Sequence, residues 1–193
     1  MGKRTRYGEI QYFSYKVMKD KIEAIPEEKY RAFFAVLYAT GFRVSEVLGL
    51  TKTNQWLNKK ENVWKTNTTR LPPLKVKGVS QSFDLNYLYI KNFIGKKRKP
   101  EQLTKRISYS TEQWLYDIII DYTNERKRTH GVEALLFDIS KDQAMRKGWT
   151  YLHCALHDIR HSRVTGLITN GMPMVYIKET MGWANYDMLC FLF

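Results

Sequence analysis

Hydrophobic residues recur three and four positions apart along most of the chain, which is the spacing of amphipathic helices. The first stretch with this spacing covers about residues 14–25. The second begins at Pro26 and ends at Gly41, and these residue types commonly start and stop helices. Five further helices are predicted from the same spacing, over about residues 44–50, 111–128, 155–170, 173–181 and 185–193.

Two short segments have the composition of β-strands instead. Residues 87–94 are rich in aromatic and β-branched side chains, and residues 106–110 alternate between apolar and polar positions. A basic turn at residues 95–100 would join these two strands. Residues 51–82 contain many Lys, Asn and Thr, and they are predicted as an irregular insertion with one short strand. The predicted fold class is therefore mainly α, with a small antiparallel β-hairpin or three-stranded sheet.

Composition narrows the class of protein. The 193 residues include 32 Lys and Arg against 19 Asp and Glu, which gives a formal net charge of +13 at pH 7. Such a charge on a folded domain suits a polyanion such as nucleic acid. No apolar run approaches the roughly 18 residues that a membrane helix needs. The basic N-terminus is not followed by the apolar stretch of a signal peptide, and Cys154 and Cys190 form no disulfide framework. We therefore expect a soluble intracellular protein.

The segment from His157 to His161 has three competing interpretations. His153, His157 and His161 are spaced four apart, which imitates a zinc site, although Arg160 would place a positive charge beside the metal. The segment can also be an ordinary polar helix face. In the third interpretation it is a phosphate clamp, because His157 and Arg160 share one helix face and the guanidinium fork matches phosphate oxygens.

A second cation for such a clamp lies near the predicted end of the second helix. Arg43 follows Gly41 and begins a new helix, where its guanidinium can join the free N–H groups of the helix in binding an anion. Glu46, three residues later, can orient that guanidinium or cap the helix. The alternative is an ordinary corner between two helices with an arginine at the surface.

Three segments together resemble the tyrosine recombinases, the family of the phage integrases, Xer and Cre. Residues 39–50 resemble the family's first arginine box, and residues 157–161 its His-x-x-Arg-His box. Gly171 and then Met181-Gly182-Trp183 follow where the family has Gly and then Leu-Gly-His or Gly-Trp. The resemblance implies a catalytic domain over residues 14–193, preceded by a basic tail at 1–13 and without the family's separate N-terminal DNA-clamping domain.

The resemblance also implies a metal-free and cofactor-free transesterification on double-stranded DNA. A tyrosine would attack the scissile phosphate to form a 3′-phosphotyrosyl link, and a 5′-hydroxyl would later reverse the step. Arg43 and Arg160 would neutralise the phosphate oxygens. His157 would hydrogen-bond the phosphate and help to move the proton of the nucleophile. Trp183 would donate a hydrogen bond without moving a proton, and His161 would support the site.

The family's general acid is a lysine in a β-turn. Lys96, in Ile94-Gly95-Lys96, resembles it best, and Lys97 and Lys77 are the substitutes. A lysine-rich turn that only contacts backbone phosphates is the competing interpretation. The residues expected to contact DNA without taking part in the chemistry are Lys97, Arg98, Lys99, Lys105 and Arg106.

The chain departs from the family at the nucleophile. The family's tyrosine lies about nine residues after the position of Trp183, which here falls on Leu192, with Phe193 next and Tyr186 too close. Phe193 is therefore expected to replace the tyrosine, or the tyrosine lies beyond this sequence or on a neighbouring subunit. As written, the chain is expected to bind DNA without cleaving it.

Two other classes of DNA-binding protein remain as alternatives. A type IB topoisomerase shares this chemistry but acts as a monomer, and a non-catalytic DNA-binding module would need no tyrosine. For the recombinase, the resemblance implies a homo-oligomer, a tetramer on two DNA sites. It also implies action in the cytoplasm or nucleoid of a prokaryotic host, encoded by the host, a virus or a plasmid.

Overall fold

A computed structural model describes residues 12–58, 60–94, 101–181 and 183 of the chain. About half of these residues are helical, and the strands form two small antiparallel sheets, which confirms the predicted fold class. No helix in the described part is long and apolar enough to cross a membrane. In chain order the elements are α1 (Tyr15–Glu23), α2 (Glu28–Thr40), α3 (Val44–Val47), β1 (Leu50–Asn58), β2 (Val63–Leu71), a 3-10 turn (Val76–Gly78), β3 (Val79–Gln81), β4 (Tyr87–Ile94), β5 (Glu101–Ser108), α4 (Tyr109–His130), α5 (Lys141–Lys147), a π-helical turn (Gly148–Leu152), α6 (Leu156–Thr169) and α7 (Met174–Met181).

Helix α2 is the centre of the core. Every residue from Ala32 to Thr40 is buried, and the rings of Phe33, Phe34 and Tyr38 are fully shielded from solvent. A helix that is buried on all sides must be covered by neighbours, and α1, α4 and α6 pack around it. The helix ends at Gly41, whose φ of +62° is left-handed and suits a residue without a side chain.

Helix α1 is fixed at both ends. The Ser14 side chain accepts a hydrogen bond from the Val17 N–H and caps the first turn. The Phe13 N–H donates to the Ser162 hydroxyl on α6 at 3.0 Å. Lys21 donates to the Leu152 carbonyl at 3.1 Å. These bonds attach the first helix of the described part to a helix almost 150 residues away in sequence.

The three-stranded sheet has the order β3-β4-β5, and both strand pairs are antiparallel. Its inner face buries Leu88, Ile90 and Ile107 against the helical core. The predicted strand at residues 87–94 is confirmed. The returning strand is longer than predicted, because β5 begins at Glu101 and ends where α4 begins.

The prediction of an irregular insertion over residues 51–82 is wrong. Strands β1 and β2 pair along their whole length, from Leu50 opposite Leu71 to Asn58 opposite Val63. None of the described side chains from residue 51 to residue 70 is buried. A strand with two exposed faces shows no alternation of apolar and polar residues, so the sequence pattern could not reveal it. The sequence also gave no sign of α5 and the π-helical turn.

Gly49 fixes the base of the β1–β2 hairpin. Its φ is +82°, and a Cβ there would lie 3.1 Å from both the Leu71 carbonyl oxygen and the Pro73 ring. Gly171 also has a left-handed φ, of +75°, but a Cβ there would meet no atom within 4 Å. The two glycines therefore differ in crowding while they share the backbone strain.

We expect Gly171→Ala to lower the free energy of unfolding by about 1 kcal/mol through backbone strain alone. Gly49→Ala should lower it by about 2–3 kcal/mol, because crowding against backbone atoms adds to the same strain. Urea denaturation of the two variants measures this difference. Equal losses would contradict the close packing at the base of the hairpin.

Candidate phosphate-binding site

Arg160 joins the ends of two other helices. It lies on α6, whose first turn is capped by the Asp158 carboxylate accepting from the Ala155 N–H at 3.1 Å. Arg160 is 6% exposed, and its guanidinium donates to the carbonyl of Gly41, at the end of α2. It also donates to the carbonyl of Met181, at the end of α7, at 3.0 Å. The left-handed turn at Gly41 makes its carbonyl available to this side chain.

Arg43 and Glu46 form a compact unit at the beginning of α3. The Glu46 carboxylate accepts from the Arg43 N–H at 2.7 Å and from its guanidinium at 2.9 Å. The Glu46 side chain is 2% exposed, whereas that of Arg43 is 28% exposed. The Asn92 side chain on β4 donates to the Glu46 carbonyl and attaches the unit to the sheet. The guanidinium of Arg43 therefore stays in place with one side open to solvent.

Lys105 is the unexpected member of this cluster. It was predicted as a DNA contact on the surface, but it lies on the inner face of β5 and is 5% exposed. Its ammonium is 5.6 Å from the centre of the Phe42 ring and has no hydrogen-bond partner among the described residues. Burial, with the positive charge of Arg160 acting in the same direction and Glu46 opposing both, lowers the pKa of Lys105 to about 7.

The cluster contains more positive than negative charge. Burial lowers the pKa of Arg160 to about 10, and the charge of Arg43 acts in the same direction. Glu46 is the carboxylate that raises the pKa values of both Arg160 and Lys105. Three basic side chains therefore share one carboxylate, so an anion bound beside Arg43 would relieve their mutual repulsion. We call Arg43, Glu46, Lys105 and Arg160 the arginine cluster.

Trp183 and the two histidines of α6 border the arginine cluster. The Trp183 ring centre is 5.8 Å from the guanidinium carbon of Arg160, and its buried Nε1–H has no acceptor within the described residues. His157 is exposed, and its ring centre is 4.5 Å from that of His161. Burial, with the charge of Arg160 added, lowers the pKa of His161. A neutral His161 beneath His157 fits a supporting position.

The other predicted lysines and arginines fall elsewhere. Lys77 lies on the 3-10 turn and donates to the Glu133 carboxylate at 2.7 Å. Arg106 is exposed on β5, with its guanidinium 4.8 Å from the ring centre of Tyr87. Five predicted site residues lie outside the described residues: Lys96, Lys97, Arg98, Lys99 and Phe193.

The three histidines of the zinc interpretation do not lie on one helix. His153 has a left-handed φ of +56° and lies before α6, which begins at Leu156. It therefore does not share a helix face with His157 and His161. Within the described ranges, no group of three or more His, Cys, Asp or Glu is arranged to hold a metal ion.

Sequence reasoning missed a buried ion pair next to the arginine cluster. Arg163 on α6 donates through both terminal nitrogens to the Glu112 carboxylate, at the kink of α4. The guanidinium carbon is 5.6 Å from the Tyr38 ring centre, and burial raises the pKa of Tyr38 to about 12. The burial of Lys105 did have a signal in the sequence, because it is two residues before Ile107 and strand side chains alternate.

Lys105 should make the stability of the protein depend on pH. The unfolded chain keeps this side chain protonated up to its ordinary pKa of 10.5, whereas the folded protein loses the proton near pH 7. The unfolded state therefore binds more protons between these values, and the free energy of unfolding gains up to about 1.4 kcal/mol per pH unit as pH rises.

We expect Lys105→Met to stabilise the protein most at pH 7 and below, with a gain that shrinks towards pH 10. Urea denaturation of both proteins across this range measures the difference between their unfolding free energies. Lys91→Met, on the exposed side of β4, is the control for loss of a lysine. A gain that does not vary with pH would contradict the burial of the ammonium.

Solved structures of similar fold are recombinases and an integrase. The XerH site-specific recombinase bound to difH substrate, in a pre-cleavage complex, superposes with a TM-score of 0.59 and 15% identity over 94% of this chain and 49% of its own. The XerA recombinase superposes with a TM-score of 0.59 and 18% identity, over 97% of this chain and 60% of its own. The Tn1549 transposon integrase in complex with transposon right end DNA superposes with a TM-score of 0.53 and 13% identity, over 96% of this chain and 62% of its own. The chain thus spans about half to three fifths of the chains it resembles.

Sequence comparison identifies the family. No curated protein sequence matches the chain significantly. The family model described as the phage integrase family matches residues 14–190, which is most of the chain and includes every element of the described structure. This range also contains Arg43, Arg160 and Trp183. The chain therefore belongs to the phage integrase family.

Proposed function

We propose that this chain is the catalytic domain of a site-specific DNA recombinase or integrase, which breaks and rejoins DNA strands without a metal ion. The observation that carries this proposal is the unbalanced charge of the arginine cluster. Arg43, Lys105 and Arg160 share one carboxylate, and the partly exposed guanidinium of Arg43 gives an anion access to them. A phosphodiester bound there would supply the missing negative charge.

Each side chain of the site has a proposed role toward the scissile phosphate. Arg43 and Arg160 neutralise charge on the non-bridging oxygens as it grows in the transition state, which phosphoryl transfer requires. His157 extends from the same helix as Arg160 and hydrogen-bonds the phosphate. The Nε1–H of Trp183 lacks an acceptor in the described structure, which supports its role as a further donor. Glu46 positions Arg43, and His161 supports His157.

The leaving 5′-oxygen needs a proton donor. Lys96 is our first assignment because of its place in the family's pattern, with Lys97 as a substitute. Lys77 is less suitable, since Glu133 already binds its ammonium. Lys105 is a further candidate because its ammonium is within the arginine cluster, and a group with a pKa near 7 can both give and take a proton at neutral pH.

Phe193 is proposed to stand at the position of the nucleophile. In the active form of the reaction, a tyrosine oxygen would bond to phosphorus as the bond to the 5′-oxygen breaks. The 5′-oxygen would take up one proton, and the tyrosine would lose one. Phe193 keeps the aromatic ring and lacks the oxygen, so this chain would hold DNA without cleaving it. A non-catalytic DNA-binding module is the second candidate, and the missing hydroxyl is the observation that favours it.

Double-stranded DNA is the proposed partner, and residues 14–193 the proposed catalytic domain, after a basic tail at residues 1–13. The XerH and Tn1549 structures contain DNA substrates, which supports this partner. The family's reaction on two DNA sites implies a homo-oligomer on DNA. Residues Lys97, Arg98, Lys99 and Arg106 are the proposed contacts to the phosphates outside the cleavage point.

Covalent trapping tests the chemistry. Phe193→Tyr and the unchanged chain are incubated without metal with a randomised pool of nicked duplexes, and SDS-resistant protein–DNA adducts are counted. We expect adducts with Phe193→Tyr alone. Adding Arg43→Ala should reduce them by at least about 100-fold, the usual effect of removing one stabilising donor from the transition state.

Arg128→Ala is the matched control, because Arg128 is 75% exposed and pairs with Glu125 on α4. This exchange should leave adduct formation unchanged. Circular dichroism verifies that each variant is folded. If Phe193→Tyr binds DNA tightly yet forms no adduct, while Arg43→Ala weakens that binding, either a tyrosine beyond residue 193 or the non-catalytic module is favoured, and a longer chain distinguishes the two. Absence of both adducts and DNA binding would overturn the proposed function.

A further inference from the structure

The β1–β2 hairpin is a separate arm of the molecule. Its two nine-residue strands pair with each other and form a sheet distinct from β3-β4-β5. At about 3.4 Å per residue, the hairpin extends for about 30 Å. None of its described side chains from residue 51 to residue 70 is buried. A two-stranded hairpin with no covering layer is marginally stable in water, so an arm of this length indicates a partner that covers it.

The far end of the hairpin exposes large apolar side chains. Leu57 and Trp64 are directly opposite each other on one face, with exposures of 40% and 69%. Val63, at the start of β2, is 53% exposed. Adjacent exposed apolar groups on an otherwise polar surface mark a contact site. We call Leu57, Val63 and Trp64 the apolar tip.

The rest of the hairpin favours a nucleic acid over a protein as that partner. Residues 51–70 contain five Lys and Arg against one acidic residue, Glu61, and ten of the twenty residues are Thr, Asn or Gln. Lysine is depleted at the core of protein interfaces, whereas basic, hydroxyl and amide side chains provide most contacts to phosphate and sugar. On one face Arg70, Thr51 and the hydrogen-bonded pair Thr53–Thr68 continue toward the apolar tip.

The position of the hairpin connects it with the arginine cluster. Strand β1 begins three residues after α3, the helix that Arg43 precedes. The other strand returns to the same place, because the Leu74 N–H donates to the Val47 carbonyl at 2.9 Å. A duplex with one phosphate at Arg43 therefore passes the base of the hairpin. A two-stranded ribbon is also narrow enough to enter a DNA major groove, which is about 12 Å wide.

We infer that the β1–β2 hairpin is a DNA-binding arm that follows the duplex away from the arginine cluster, with the apolar tip in contact with the bases. This inference rests on the proposed function. Basic and threonine side chains of the hairpin contact phosphates along about 30 Å, the length of eight or nine base pairs at 3.4 Å each. Trp64 stacks on or wedges between bases, and DNA in turn orders the hairpin.

Three variants of the full chain test this inference. In the first, Asn-Gly replaces residues 53–68, so that the paired residues Lys52 and Thr69 close a tight hairpin turn. In the second, Leu57→Ser and Trp64→Ser remove the apolar tip and leave the charge unchanged. The third is Trp149→Ser, the control, because Trp149 is 48% exposed on the π-helical turn. Thermal unfolding verifies that each variant is folded.

Hydroxyl-radical footprints and affinities are measured on a duplex that is longer than the footprint and that the unchanged chain has selected from a randomised pool by binding. The shortened hairpin keeps three of its nine residue pairs, so it should lose about 20 Å, or about six base pairs, of protection on one side of the site. Its affinity should fall at least about tenfold, and the slope of log affinity against log salt by about 2, since three lysines and one glutamate are removed. The tip variant should also bind about tenfold more weakly, with an unchanged slope. Trp149→Ser should match the unchanged chain.

The outcomes separate this inference from the proposed function. If the shortened hairpin keeps the footprint and the affinity of the unchanged chain, the inference is overturned, and the proposed function is untouched. If it keeps DNA affinity but loses self-association in sedimentation, the partner is a second copy of the chain, which also overturns the inference. If no protein in the series binds DNA, including Phe193→Tyr, the proposed function fails and the hairpin inference fails with it.

Discussion

The buried guanidinium of Arg160 is the constraint on which the rest of the site depends. A buried cation is costly unless its N–H groups are satisfied, and here the carbonyls of Gly41 and Met181 accept them. Both carbonyls are at helix ends, where the last turn leaves acceptors free. One side chain thus fixes the ends of α2 and α7 against α6. Arg43 follows directly after the first of these ends, so the same contact sets the distance between the two arginines.

The buried positive charges of the arginine cluster are only partly balanced. Lys105 and Arg160 lose solvation on burial, Arg43 adds repulsion, and Glu46 is the carboxylate that opposes both effects. Nearby, Arg163 is buried at almost the same depth but has its own carboxylate in Glu112. The two buried arginines of α6 therefore differ, because Arg163 has a carboxylate of its own whereas Arg160 shares Glu46 with Arg43 and Lys105. Unbalanced buried charge costs free energy, so a phosphate that binds beside it would stabilise the folded protein.

Three segments show where sequence reasoning works and where it fails. Helix α2 and strand β4 are recognisable because a buried face forces apolar residues into a helical or strand-like arrangement. The β1–β2 hairpin has no buried face, so its Thr, Asn and Lys residues resemble a loop, although they pair in regular register. The resemblance to the recombinases singled out Arg43 and Arg160, and the structure brings the two side chains together beside Glu46. It could not reveal the Arg163–Glu112 pair, whose members are 51 residues apart.

The sequence by itself determined the family, most of the helices and strand β4, because each depends on a local pattern of a few residues. Only the tertiary structure decided which basic residues meet. Lys105 is buried and not on the expected DNA surface, because side chains alternate along β5 and Lys105 faces inward with Ile107. Lys77 pairs instead with Glu133, on a turn 56 residues away in sequence. Burial and charge balance are sums over neighbours from several elements. These neighbours are far apart in sequence, so only the tertiary structure shows the arginine cluster and the exposed hairpin beside it.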